Sequence, residues 1–401
     1  MIRTNRVSVS ALAFAGFLIG GSVSITETFA AEADRLIDLI LAVDKEGKGH
    51  KDAVVAVQNL GSYDVDVLPT ILLAMNKANP LALNWLRGSF ETIADRAISK
   101  GTKLPAKDLL AYVENADNAP RARRLAFEWL VVEDAGIADE LIPQMITDPS
   151  PEFRREAVAR SIDAGKAHKE KNENDAAIEA YQQALVGATD DDQVKTITEA
   201  LKELGVEVDI AKHFGFIKEW KLTGPFDNTE KKGFFTTYEP EESADLDKSY
   251  VGKLGEVNWS ELSTSDPYGI VDIAKQIEAY KGAVMYARVE FDSEKDQDVE
   301  LRLGTPNAWK VWVNNEMLFG REEYHRGMAI DQYIVPAKFK EGTNVILLKL
   351  CQNEQTEDWA QRYQYQLRVC NASGIAIHPM NEDNTTSARE TNRSRKVALK
   401  K

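Results

Sequence analysis

The texture of the chain changes once, near Val206, and that change limits what it can fold into. From about Ala33 to Gly205 apolar residues recur at intervals of three and four, the period of helices that bury one face. Beyond it come short runs in which apolar and polar residues alternate, separated by Gly, Asn and Asp: EWKLTGPFDN, VMYARVEF, DVELRLGT, WKVWVNN, DQYIVPAKFKEGTNVILLKL and YQYQLRVCNASG. Alternation of that kind places successive side chains on opposite faces of a strand. A helical half followed by a strand half predicts two segregated folds rather than an α/β alternation.

Within the helical half, one start signal recurs. Asn79, Asn118 and Ser150 lie just ahead of Pro80, Pro120 and Pro151, and each proline opens an apolar stripe: ANPLALNWLRGSF, NAPRARRLAFEWL and PSPEFRREAVARSI. Proline is tolerated at the first helical position, where its missing N–H is not needed. A start signal returning at roughly 30 to 40 residues is the trace of a two-helix repeat, and LPAKDLLAYVEN and AGIADELIPQMITD supply the second helices. We read the half as an irregular α-solenoid whose neighbours cover each other's apolar faces.

In the strand half, Trp309, Val311 and Val313 share one face of WKVWVNN, and Lys310 and Trp312 share the other. Val299, Leu301 and Leu303, and Tyr365, Leu367 and Val369, form matching inward rows. Arg288, Glu290, Glu300, Arg302, Lys310, Gln366 and Arg368 form outward rows, as a half-solvated antiparallel sheet requires. The expected fold is therefore multidomain α plus β, an N-terminal α-solenoid and a C-terminal antiparallel β-sandwich.

The N-terminus carries Arg3 and Arg6, an apolar run from about Val7 to Ile25, and small residues around Ala30. That order is a secretory signal, with an uncleaved anchor as its alternative. The domain plan is a signal at 1–30, helical repeats at 31–205, the sandwich at 206–379 and a polar, disordered tail at 380–401. It implies an exported protein, periplasmic or extracellular, whose mature part has no transmembrane span. The net charge of −15 argues against a general nucleic-acid binder, which needs clustered Lys and Arg. Two cysteines, Cys351 and Cys370, make no disulfide scaffold. If their strands pair as a simple hairpin the sulfurs lie at opposite ends, and free thiols are favoured over a bond.

DPSPEFRREAVARSI resembles a HEAT repeat, and DAAIEAYQQAL looks like half of a tetratricopeptide unit, with Ala177, Ala180, Tyr181, Ala184 and Leu185 on one face. The order WKLTGPFDN, GKLGEVNW, LRLGTPNAWKVWVNNEMLF and EGTNVILLKL resembles the galactose-binding-like jelly roll that accompanies many secreted bacterial proteins and glycosidases, over about 212 to 378. Where such modules have Asn-Gly after the VWV strand, this chain has Asn314 and Asn315, which also adopt positive φ. The combination is similar to a group of uncharacterised exported bacterial proteins and implies no activity.

Four candidate sites follow. Trp312 beside Lys310, with Tyr286 outward in VMYARVEF, forms either a stacking platform for a sugar or a surface packed against the helical domain or capped by Arg and Lys stems; packing is favoured. REEYHRGMAIDQY gathers Tyr324, His325 and Arg326 in a loop, and His325 with Glu322 or Asp331 is the best acid-base pair in the chain. No GxSxG elbow supplies a nucleophile, so this loop reads as a polar rim or an ion-pair cluster. Asp227, Asn228 and Glu239 are oxygen donors that suit a structural Ca²⁺, without EF-hand spacing; a solvated acidic loop is the favoured alternative. The concave face of the solenoid suits a protein partner. The readings, in order, are a non-catalytic scaffold without cofactor, a module bound to envelope polysaccharide, and a hydrolase with a site where the domains meet.

Overall fold

The computed structural model describes residues 21–380 apart from residue 244, with side chains from residue 29 onward. Two thirds of the expected signal, residues 1–20, and the tail from 381 lie outside the described residues. The chain divides into two compact units, Met1–Phe153 and Arg154–Lys401.

The first unit is helical. Its elements are α1 (Gly21–Leu41), α2 (His50–Leu60), α3 (Leu68–Met75), α4 (Pro80–Ser99), α5 (Ala106–Glu114), α6 (Pro120–Glu133) and α7 (Ile137–Leu141), with short 3₁₀ turns between α1 and α2 and between α2 and α3. Pro80 and Pro120 open α4 and α6 as their start signals predict. The Asn79 side chain accepts hydrogen bonds from the amides of Leu81 and Ala82 at 2.9 and 3.0 Å, which satisfies two of the donors a helix start leaves open. The helices pack in pairs, α1 on α2, α3 on α4 and α5 on α6. Arg123, 1% exposed, fixes the last pair. Its Nε donates to the Val113 carbonyl at 2.7 Å, and its two terminal nitrogens grip Asp148 at 2.8 and 2.7 Å. A buried guanidinium so satisfied stabilises; one stripped of its carboxylate does not.

α8 (Pro151–Glu170) runs through the boundary between the units and is opened by the third proline. The second unit continues with α9 (Asn174–Gly187), α10 (Asp191–Glu203) and α11 (Ile210–Phe214) before its sheets begin. In α9 the expected face is turned inward: Ala177, Tyr181 and Ala184 are buried, and Ala180 and Leu185 are half-buried.

Twelve strands follow: β1 (Glu219–Asp227), β2 (Tyr250–Gly252), β3 (Gly255–Val257), β4 (Ser260–Ser263), β5 (Val271–Asp272), β6 (Ala283–Ser293), β7 (Gln297–Gly304), β8 (Ala308–Val313), β9 (Glu316–Arg321), β10 (Tyr333–Phe339), β11 (Gly342–Gln352) and β12 (Gln364–Cys370). The short helices α12 (Glu239–Glu242) and α13 (Ile273–Gln276) lie among them. One sheet has the order β4-β1-β6-β11-β8-β9, a second β10-β7-β12-β5, and β2 and β3 form a hairpin of their own. The ladders are antiparallel throughout. The three predicted inward rows meet in one core with Trp220, Phe291 and Leu348, and Trp309 is 0% exposed. Asn314 and Asn315, at φ 51° and 68°, make the two-residue turn from β8 to β9.

The outward rows correct the expectation of solvated faces. Arg288, Gln366 and Arg368 are buried, Glu300, Arg302 and Lys310 are half-buried, and Glu290 alone is exposed. The reason is coverage by the chain itself. Phe234, Tyr238, Tyr250, Val257 and Trp259, from the segment after β1, lie over the outer face of the six-stranded sheet. On the other sheet, Arg368 donates to the carbonyls of Phe214 and Gly374 at 3.2 and 3.1 Å. The cysteine strands also do not form a hairpin: β11 and β12 lie in different sheets, and both thiols are free and buried.

Candidate functional site

Tyr286 on β6, Lys349 on β11 and Lys310 on β8 stand opposite one another in register, so they form one transverse row on the outer face of the larger sheet. Trp312 stands in the next row with Leu347. These are the residues proposed as an open platform, and the structure corrects that proposal: Trp312 is 5% and Tyr286 0% exposed. They form a second apolar cluster with Phe226, Phe234, Tyr250, Leu347 and Cys351, edged by Tyr238 and Trp259. The cover comes from Phe234, Tyr238, Tyr250, Val257 and Trp259 of the same unit.

What fixes that cover is polar. Lys349 is entirely buried, and its ammonium donates to the Glu241 carboxylate of α12 at 2.7 Å and to the Thr236 carbonyl at 2.6 Å. The Tyr286 hydroxyl donates to the same carboxylate. The Lys310 ammonium lies 4.7 Å from the Phe234 ring centre, so the second cation of the row is met by a ring face. Burial pushes the Lys349 ammonium below its ordinary pKa, against the opposing pull of Glu241. Burial, and then the Glu241 charge, pushes the Tyr286 phenol up. The group is sealed from solvent, so it fastens the cover and meets no substrate.

The remaining predicted residues gather at the end of the two sheets. Tyr324, His325 and Arg326 lie in the loop from β9 to β10. His325 takes φ +58°, uncommon for a residue with a side chain, and its Nε2 is 2.7 Å from Asn353 Oδ1. The expected acid-base pair is therefore not made. Asp331 is engaged elsewhere, with Arg302 at 2.7 Å and with Arg368. Tyr324 accepts from Asn228 at 3.2 Å, and the Lys231 ammonium lies 5.2 Å from its ring centre. Arg326 is exposed beside Glu323. Beyond His325, at 5.2 Å between ring centres and nearly perpendicular, stands Trp359, 60% exposed.

The calcium candidates do not converge. Asp227 is paired with Lys253 at 3.0 Å, Glu239 with Lys248, and the buried Asn228 amide spans Gln352, Tyr324 and Phe234. Each of the three side chains is thus already engaged with a different partner within the fold. Among the described residues no group of three His, Cys, Asp or Glu is placed to hold a metal, and no helix is long and apolar enough to cross a membrane.

Sequence reasoning missed Lys349 and Trp359. Lys349 had a signal, a single charge inside the apolar run VILLKLC; Trp359 had one too, a lone aromatic in the polar stretch NEQTEDWAQR.

The chain matches no protein-family model, and no curated protein matches it. Among solved structures it is similar to the crystal structure of a selenomethionine-labelled β-glucosidase from Kluyveromyces marxianus, at 9% identity and a TM-score of 0.25. That alignment takes in 78% of this chain and 38% of the other, so the chain spans well under half of that protein's length. At this score the likeness assigns neither fold nor activity.

Proposed function

We propose that the chain is a non-catalytic exported interaction protein, in which helical repeats stacked as an α-solenoid meet protein partners and a jelly-roll sandwich supplies a second binding body. One observation carries this reading. The side chains best suited to acid-base or nucleophilic chemistry are consumed by the fold: Lys349 with Glu241, Asp331 with two arginines, His325 on Asn353, and both thiols in the interior. A catalytic group has to reach a reacting atom, and these do not.

The helical unit meanwhile leaves Val55, Leu73 and Val132 more than half exposed on helix surfaces. A photo-crosslinking residue placed at Leu73 or Val132 in the full chain, expressed in its own cell, is expected to yield a discrete adduct in the cell envelope. Absence of any adduct from Val55, Leu73 and Val132 would overturn the partner reading. Turnover of chromogenic glycosides or esters that disappears in His325→Gln would restore the hydrolase alternative.

A second reading, attachment to envelope polysaccharide, is favoured at a different place from the one first expected. Trp312 and Tyr286 are covered, whereas Trp359 is presented at the loop end.

A further inference from the structure

The geometry points to self-association: a second copy of this chain pairs antiparallel along β9, joining two six-stranded sheets edge to edge. This contact is separate from the one proposed for the helical unit, so its failure would leave that reading untouched.

The two larger sheets end on four strands, β4, β9, β10 and β5, and three of these are poor templates for a further strand. β5 is two residues long, β4 reads Ser-Glu-Leu-Ser, and β10 carries Pro336, which has no N–H to offer, close to the exposed Lys338. Short, charged or proline-bearing edges are how sheets avoid pairing with a neighbour. In β9 the charges stand only at the ends. Its six residues, Glu-Met-Leu-Phe-Gly-Arg, pair with β8 on one side, and Met317 and Phe319 are 53% and 44% exposed.

The order of those residues fits a second copy of itself. An antiparallel pair that sets Glu316 against Arg321 of the other copy does so at both ends at once, because a two-fold axis repeats every contact. The faces agree as well. Glu316 and Arg321 stand opposite Val313 and Trp309 of the inward row, whereas Met317 and Gly320 stand opposite Trp312 and Lys310 of the outward row. On a regular strand two residues five apart point to opposite sides. The register shift between Val311 and Trp312 admits one extra residue into β9 and returns Glu316 and Arg321 to the same side. In that register Met317 lies across from Gly320 of the other copy, a long apolar side chain over a residue with none. Leu318 of each copy meets Phe319 of the other beside the axis.

Both charges are available. Among the described residues the Glu316 carboxylate has no hydrogen bond or ion pair. Arg321 holds Glu323 at 2.7 Å through one terminal nitrogen, which leaves the rest of its fork for a second carboxylate. Glu323 also has Arg326, at 3.4 Å. Exposed ion pairs contribute little affinity, so the apolar middle of the strand supplies attraction and the charged ends fix the register.

The test follows the purified exported chain by sedimentation velocity from about 1 µM to about 500 µM, a range that spans the affinity expected of a one-strand interface. A reversible monomer–dimer equilibrium is expected. Glu316→Arg and Arg321→Glu are each expected to weaken it about tenfold or more, since each sets like charges together at both ends of the pair. Mixed in equal amounts, the two variants are expected to recover the dimer, because each then meets the opposite charge twice. Met317→Lys, which places a charge in the middle of the edge, is expected to weaken it independently, with unchanged far-ultraviolet circular dichroism. A parent chain that stays monomeric across the range would overturn the proposal. So would variants that dimerise as tightly as the parent, or charge variants that gain nothing on mixing.

Discussion

Lys349 and Glu241 are 108 residues apart in sequence and 2.7 Å apart in space, a buried ion pair that ties α12 to the middle of the larger sheet. Lys349 is 0% and Glu241 8% exposed at the side chain, so neither charge has water to replace its partner. Breaking such a pair from one side is far more costly than removing both charges. Glu241→Gln is expected to cost about 3–5 kcal/mol in urea unfolding. Glu241→Gln combined with Lys349→Met is expected to recover much of that loss. A double variant no more stable than the single one would show that the pair is not what holds the cover.

Trp312→Ala tests the same cover from its apolar side. The indole is one of the largest side chains in the second cluster, and its loss leaves a cavity lined by Phe234, Tyr286 and Leu347. The expected destabilisation is about 3–5 kcal/mol. Trp359→Ala, by contrast, removes an exposed ring and is expected to leave the unfolding midpoint within error. Equal effects of the two substitutions on stability would contradict the assignment of one tryptophan to the interior and the other to the surface.

The strand half was readable because its period of two fixes which residues share a face. Trp309, Val311 and Val313 reached the core with Leu301 and Leu367, and Asn314 and Asn315 made their turn, all from local pattern. The three prolines opened helices for the same reason, since the first-turn preference is a property of a few neighbouring residues. Alternation says only that Trp312 and Arg368 leave the shared core. It does not say whether water or another segment awaits them, because the segments that cover them contact the sheet through pairs as distant as Lys349 and Glu241, or Arg368 and Phe214. The loop end was half legible: Tyr324, His325 and Arg326 were found as a cluster of chemistry-bearing residues, whereas Trp359 comes from a loop 34 residues beyond His325 and joins them only in the fold.

Asp331 gives stability a component that depends on acid. Burial pushes its carboxyl up, but hydrogen bonds and charge from Arg368 and then Arg302 outweigh it and hold the group below its ordinary 3.8. The folded state therefore binds fewer protons here than the unfolded chain as pH falls through 3.8, so this component is present above that pH and is lost as pH drops through the lower folded value. Asp331→Asn is expected to be less stable at pH 7, by about 3 kcal/mol, because two largely buried guanidiniums lose a carboxylate. Its stability is also expected to fall less steeply than that of the parent between about pH 4 and about pH 2. Parallel curves for the two proteins across that range would show that Asp331 titrates as it does in the unfolded chain.

The two cysteines follow from strand placement. Cys351 ends the apolar stretch of β11 beneath the cover of the larger sheet, and Cys370 closes β12 in the other sheet, so each sulfur has a different sheet around it and no bond joins them. Burial pushes the Cys351 thiol up to about 12 and the Cys370 thiol up to about 11. At pH 8 both thiols therefore stay almost wholly in the unreactive protonated form, even before access is considered. The native protein is expected to show almost no reaction with Ellman's reagent over minutes, and two thiols per chain once unfolded in guanidinium. The slow native reaction should follow opening of the structure, so Glu241→Gln, which loosens the cover over Cys351, is expected to speed the labelling of that thiol more than that of Cys370, which gains only from the loss of global stability. Prompt labelling of one thiol in the parent protein, or equal acceleration of both in the variant, would show that the cover is not what protects Cys351.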